Sequence, residues 1–213
     1  IQTSSSEVYG SAVYTPIDEN HPMQGQSPYS ATKIAADHLS LSFYNSFDLP
    51  ISIIRPFNTY GPRQSNRAVI PSIILQMSKE KKFIQLGLTT PTRDLSYIDD
   101  TVDGFVKTLG NKKIFGEVIN IGQNFDISIL NLYKLIGNLM NKKIPIKKEE
   151  KRFRPKKSEV MQLKCDNTKA ASILRWKPKY SKKKGLEKGL IKTINWFLEP
   201  KNLKMYNNKD FNL

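Results

Sequence analysis

The sequence is poor in the residues that staple small folds together. Its 213 residues include one cysteine, Cys165, and two histidines, His21 and His38. A lone thiol excludes an intramolecular disulfide framework, and with so few ligands no zinc-site spacing can be written, so no metal site is expected. A reducing, cytoplasmic setting fits that usage. No apolar run approaches the roughly 18 residues that a membrane helix requires, and no membrane partner is expected. Glycine is scarce and scattered. The eleven glycines, at 10, 25, 61, 87, 104, 110, 116, 122, 137, 185 and 189, form no Gly-x-Gly or Gly-x-x-Gly pair. The loop that cradles a dinucleotide pyrophosphate at a helix N-terminus is therefore absent. Because the sequence opens on Ile1, a phosphate-binding half would lie upstream, and targeting segments cannot be read.

Hydrophobic residues make up 38%, aromatics 10% and charged residues 25%, which is enough apolar material for a real core. The net charge of +15 is unevenly placed: residues 1–141 hold 12 basic and 12 acidic side chains, whereas residues 142–213 hold 22 against 7. Its densest pieces are Lys147, Lys148, Lys151, Arg152, Arg154, Lys156 and Lys157, then Lys182–Lys184. A solvated lysine face is the simplest reading and a site for an anionic ligand the next. Nucleic acid is a minor option, since few aromatics interleave with the lysines and no recognition motif accompanies them.

Short β-branched runs at 51–55 and 118–121 predict strands. A helix is expected from Ser27, a plausible N-cap followed by Pro28, to about Asp48 before Pro50, with Ile34, Leu39, Leu41 and Phe43 as its apolar positions. Further helices are expected at 69–79, 100–109, 129–140, 167–174 and 186–198. In the last, Leu186, Leu190, Ile194 and Phe197 share one face that should be core. Strands alternating with helices predict an α/β protein.

Tyr29 and Lys33 stand at i and i+4, on one face of the first helix. Oxidising an alcohol needs a base for the hydroxyl proton, and a phenol serves only if its anion is stabilised, as a nearby ammonium does. Spacing alone is weak: roughly one Tyr-x-x-x-Lys pair is expected by chance in this composition, and Tyr180/Lys184 also fits. Context favours the first pair. Upstream runs Thr3-Ser4-Ser5-Ser6-Glu7-Val8-Tyr9-Gly10. Downstream come Arg55-Pro56-Phe57-Asn58-Thr59-Tyr60-Gly61-Pro62-Arg63 and Arg93-Asp94-Leu95-Ser96-Tyr97-Ile98-Asp99-Asp100, then Cys165–Ala170 and Leu174–Pro178.

In this order and spacing the blocks resemble the extended short-chain dehydrogenase/reductase superfamily of nucleotide-sugar enzymes, across nearly the whole chain. Gln26–Lys33 and Arg63–Pro71 are most similar to bacterial 4,6-dehydratases acting on N-acetylglucosamine nucleotides in the legionaminic-acid type of pathway. The resemblance implies the C-terminal part of a Rossmann-like NAD(P)-binding fold plus a smaller α/β substrate lobe. Residues 1–61 would belong to the first and 62–213 mainly to the second, with 93–122 partly returning to the Rossmann-like sheet. NAD is the implied cofactor, with NADP left open, and a nucleotide-activated sugar the implied partner. A homodimer is expected, and the chain by itself is expected to be inactive.

Matched residue by residue, the resemblance makes Tyr29 the redox base and Lys33 the residue that holds the nicotinamide ribose and lowers the Tyr29 pKa. Ser5 assists in oxidising C4. Glu7 matches the base for the C5 proton. Ser6 stands where glucose-type dehydratases place an aspartic acid, which leaves the general acid open. Pro56 shapes the loop at the nicotinamide. Asn58 and Arg93 match contacts to the substrate pyrophosphate, with Arg67 and Arg154 as further candidates, although Arg93 could instead pair with Asp94 or Asp99. The product would be a 4-keto-6-deoxy sugar. A UDP-glucuronate-type decarboxylase, a 4-epimerase, and a non-catalytic sugar-nucleotide or nucleic-acid binding module remain as alternatives.

Overall fold

The strands and helices assemble, in a computed structural model describing residues 1–153, 155 and 158–207, into three small sheets with helices between them. In chain order the elements are β1 (Gln2–Thr3), a 3₁₀ turn (Ser6–Tyr9), α1 (Pro28–Phe47), β2 (Ile53–Pro56), β3 (Asn58–Tyr60), α2 (Val69–Ser78), β4 (Ile84–Leu86), β5 (Thr92–Tyr97), α3 (Ile98–Val106), β6 (Val118–Ile121), β7 (Asp126–Ser128), α4 (Ile129–Leu139), β8 (Ile146–Lys148), α5 (Thr168–Leu174), α6 (Lys182–Leu198) and α7 (Pro200–Asn207). The first sheet is parallel, in the order β1-β2-β6. Crossover helices connect such strands, and α1 is the crossover from β1 to β2. In the second sheet β5 lies between β3, which is parallel to it, and β7, which is antiparallel. In the third, β4 and β8 pair in parallel.

Helix α1 starts as its sequence dictates. The Ser27 hydroxyl accepts from the Ser30 backbone N–H at 3.1 Å while Ser30 Oγ accepts from the Ser27 N–H at 2.9 Å, and Pro28 fills the first turn. The helix stops at Asp48, which takes a left-handed conformation with φ of 51°. Its apolar stripe behaves otherwise than expected. Leu39 (61% exposed), Phe43 (43%) and Phe47 (73%) face outward, and the buried side chains are Ser30 and Asp37. The inward face of α1 is thus anchored by polar contacts.

The largest core lies where α2, α4 and α6 meet the second sheet. Ile70, Ile73, Ile74 and Met77 pack with Leu132, Ile136, Leu186, Leu190, Ile194 and Phe197 around Tyr60, Leu95 and Tyr97. Each such aliphatic or aromatic side chain contributes about 1.5–3 kcal/mol on burial. A second core joins Ile54, Ile119 and Ile121 to Ala170, Leu174 and Trp176. A third, containing Val8, Tyr9, Ile17, Phe57, Leu163 and Cys165, backs the 3₁₀ turn. Gly122 is required there, since a Cβ would lie 2.4 Å from Cys165 Cβ. Three expected helix boundaries shift by two residues or more. α3 begins at Ile98 and ends at Val106, and α6 begins at Lys182, where exposed lysines extend the helix beyond its apolar stripe.

Candidate active site

The site begins where β1 leaves its sheet. The Ser4 N–H donates to the Ile54 carbonyl at 2.8 Å, which ends the pairing with β2, and Ser5 then caps the 3₁₀ turn by accepting from the Glu7 N–H at 3.2 Å. Gly10, at φ of 61°, closes that turn. Val8 and Tyr9 plug into the core behind, and Ser6 is buried with them, whereas Ser5 and Glu7 stay partly exposed on the outer side. The turn packs against α1.

Facing it, α1 carries Tyr29 and Lys33. Tyr29 is 53% exposed, and the Lys33 ammonium lies 5.9 Å from its ring centroid while donating to the Thr3 carbonyl at 2.9 Å. One turn further along α1, buried Asp37 accepts through Oδ2 from Ser4 Oγ at 2.8 Å and from Arg55 Nε and Nη2 at 3.0 Å each. Arg55 comes from β2 and also donates from Nη1 to the Tyr9 hydroxyl at 3.0 Å, which in turn donates to Asn120 Oδ1 at 2.7 Å. Burial pushes Tyr9 up to about 12, so it remains a neutral donor here. One network therefore ties the Ser-Glu turn, the Tyr29 helix and the central strand together. Neither Asp37 nor Arg55 stood out as a site residue in the sequence, and their separation by 18 positions offers no local signal.

Three of the remaining candidates line a cleft of about 590 Å³. Asn58, Arg67 and Arg93 are in its wall, joined by Gln64, Arg152, Phe153 and Glu159. The cleft lining does not include Ser5, Ser6, Glu7, Tyr29 or Lys33, so the candidates form two groups. The groups adjoin through Pro56, the last residue of β2, and Asn58, the first of β3, which are two residues apart and so at most about 7 Å along the chain. Arg93 pairs with neither neighbour considered from the sequence. It donates to Glu159 Oε1 at 3.2 Å and to the Thr92 carbonyl at 2.8 Å. Asp94 is instead fully buried, accepting from the Gln123 N–H at 2.7 Å and the Cys165 N–H at 3.0 Å, and Asp99 lies beside Lys192. Arg154 lies outside the described residues. Glu159, absent from the sequence-based set, could have been noticed as an isolated acid closing a basic run. Tyr180 packs on Tyr97 and hydrogen bonds with Lys192, apart from both groups.

The profile of the GDP-mannose 4,6 dehydratase family matches residues 1–189. The chain belongs to this family. It is 32% identical over 205 residues to dTDP-D-glucose 4,6-dehydratase from Bos taurus, covering 93% of this chain and 55% of that one. It is 40% identical over 150 residues to the Dictyostelium discoideum enzyme of the same name, covering 65% of this chain and 34% of that one. Among solved structures, UDP-glucuronic acid 4-epimerase from Bacillus cereus, in complex with UDP-glucuronic acid and NAD, superposes with a TM-score of 0.82 at 33% identity, covering 91% of this chain and 59% of that one. The dTDP-glucose 4,6-dehydratase from Bacillus anthracis, in complex with NAD, gives 0.81 at 28% identity, covering 92% and 60%. The chain thus spans about 55% of the length of the curated relatives that it matches over nearly its whole extent. Its α/β architecture with parallel sheets is that of the Rossmann-like extended short-chain dehydrogenase/reductases.

Proposed function

We propose that this dehydratase-family chain carries the catalytic and substrate-binding part of an NAD-dependent nucleotide-sugar 4,6-dehydratase. The observation that carries the reading is the pairing of the Tyr29/Lys33 helix with a second proton-handling group, Glu7, on a turn locked to that helix through Ser4, Asp37, Arg55 and Tyr9. A redox pair alone serves an epimerase. A carboxylate beside it supplies the base that removal of the C5 proton needs.

The residues present fit the nicotinamide end of NAD. Half-exposed Tyr29, with the Lys33 ammonium fixed on the Thr3 carbonyl, lies beside the end of β1, and Pro56 closes neighbouring β2. When bound, NAD would take the hydride from C4 and return it at C6. Tyr29 accepts the C4 hydroxyl proton beside the Lys33 ammonium, and Ser5 donates a hydrogen bond to the C4 oxygen. Glu7 then removes the C5 proton as water leaves C6. Ser6 is buried in the turn, so Glu7 also passes that proton to the departing hydroxyl and afterwards delivers a solvent proton back to C5. Arg93 and Arg67 bind the substrate pyrophosphate, and Asn58 orients it. The apolar stripe exposed on α1 supports a pair of such chains meeting along that helix.

The Glu7→Gln variant of the protein as it occurs in its source tests the division of labour. NAD reduction on mixing with the nucleotide sugar should persist, and exchange of the C5 proton with solvent deuterium should stop. Loss of both steps together would show that Glu7 is not a dedicated C5 base. The structural likeness to a 4-epimerase supports that activity as the second reading.

A further inference from the structure

The cleft that would receive a phosphate already holds carboxylates against its arginines. Arg93 and Glu159 are each 12% exposed, and their 3.2 Å pair lies in the cleft wall, sheltered from bulk water. Arg152 in the same wall is paired with Glu149 and reaches Ser72 Oγ at 3.3 Å. Part of the guanidinium charge is therefore compensated from within the chain before a ligand arrives. The same cleft holds two buried amide oxygens, Asn58 Oδ1 and Gln64 Oε1, that accept no hydrogen bond among the described residues. Gln64 is held in that orientation by donating from Nε2 to the Thr59 carbonyl at 2.8 Å.

We propose that Glu159 is a specificity-determining residue: by pairing with Arg93 in advance, it makes the cleft reject free inorganic phosphates and admit a diphosphate only when a nucleoside is attached. The inference rests on the reading of this cleft as a nucleotide-sugar site. A small polyanion offers charge alone, and to reach Arg93 it must displace Glu159 or lie beside a like charge, which is costly in a partly desolvated wall. A nucleoside diphosphate brings more. Its hydroxyl and amide donors can satisfy acceptors such as Asn58 Oδ1 and Gln64 Oε1, which inorganic phosphate leaves unpaired, and its base can cover apolar wall such as Phe153.

Calorimetric titration at low ionic strength compares inorganic pyrophosphate with UDP on the unaltered protein and on Glu159→Gln, which keeps the side chain's size and removes its charge. Pyrophosphate affinity should rise at least about tenfold in Glu159→Gln, and UDP affinity distinctly less, so that discrimination falls. Adding Arg93→Ala should erase the gain. Unchanged pyrophosphate affinity, or equal gains for both ligands, would overturn the role given to Glu159. If UDP binds both forms and pyrophosphate gains nothing, the nucleotide-sugar reading stands and this role falls. If none of UDP, dTDP and GDP binds either form, both fall. Should the variant fail to fold, the Arg93 Nε–Hε resonance of the unaltered protein gives the same answer. UDP should shift it where equimolar pyrophosphate does not, and an equal or larger shift with pyrophosphate contradicts the proposal.

Discussion

Two Tyr-x-x-x-Lys pairs occur in this chain, and their surroundings separate them. Tyr29 stands half-exposed at the start of a capped helix, with the Lys33 ammonium fixed on the Thr3 carbonyl beside the Ser-Glu turn. Tyr180 lies against Tyr97 and Lys192 on another surface. Tyr29→Phe should therefore lower turnover by roughly 10²–10⁴, the usual worth of a positioned acid or base, while Tyr180→Phe leaves it nearly unchanged. Steady-state rates of the two variants measure this, and similar losses would mean that the second pair was wrongly set aside. As candidates, Tyr29, Lys33, Glu7 and Arg93 were legible because they sit in contiguous blocks. Asp37, Arg55 and Glu159 were not, because what gives each its role is a partner distant in sequence: Arg93 and Glu159 meet across 66 positions.

At the scale of elements, the decisive contact joins α1 to β2. The Arg55–Asp37 pair is 3% and 1% exposed and also engages Ser4 and Tyr9, so removing one partner strands a buried charge. Arg55→Met should cost about 3–5 kcal/mol in urea unfolding, and Arg55→Met with Asp37→Leu should cost less than the single change. A double variant weaker than the single would show that the pair contributes net stability beyond mutual compensation. The start and end of α1 could be read from Ser27, Pro28 and Pro50, and the 118–121 strand from its β-branched run. Strands β4 and β8, of three residues each, are too short to show a period, and they pair across some sixty intervening positions. The outward-facing Leu39 and Phe43 also escaped the sequence, because an apolar stripe does not say which side of the helix the protein covers.

Across the whole molecule, Asp94 links β5 to two other segments. Its carboxylate receives the backbone N–H groups of Gln123 and Cys165, yet full burial outweighs them and pushes it up to about 7. An unfolded aspartate titrates near 3.9, so the folded state holds the extra proton between these values. This group's contribution to stability is then complete below about pH 4 and is lost as pH rises through about 7. The stability gap between the unaltered protein and Asp94→Asn should narrow over that window by up to about 1.4 kcal/mol per pH unit, and urea titrations at several pH values measure it. A gap independent of pH would show that Asp94 stays ionised throughout. Dehydration itself, the central claim, is tested most directly by the mass of the product. Incubated in deuterium oxide with NAD and a nucleotide-activated hexose bearing a 6-hydroxyl, the protein from its source should release a sugar lighter by one water, labelled at C5, with no net consumption of NAD. A product of unchanged composition with C4 inverted, or one formed by loss of carbon dioxide from a 6-carboxylate, would contradict it.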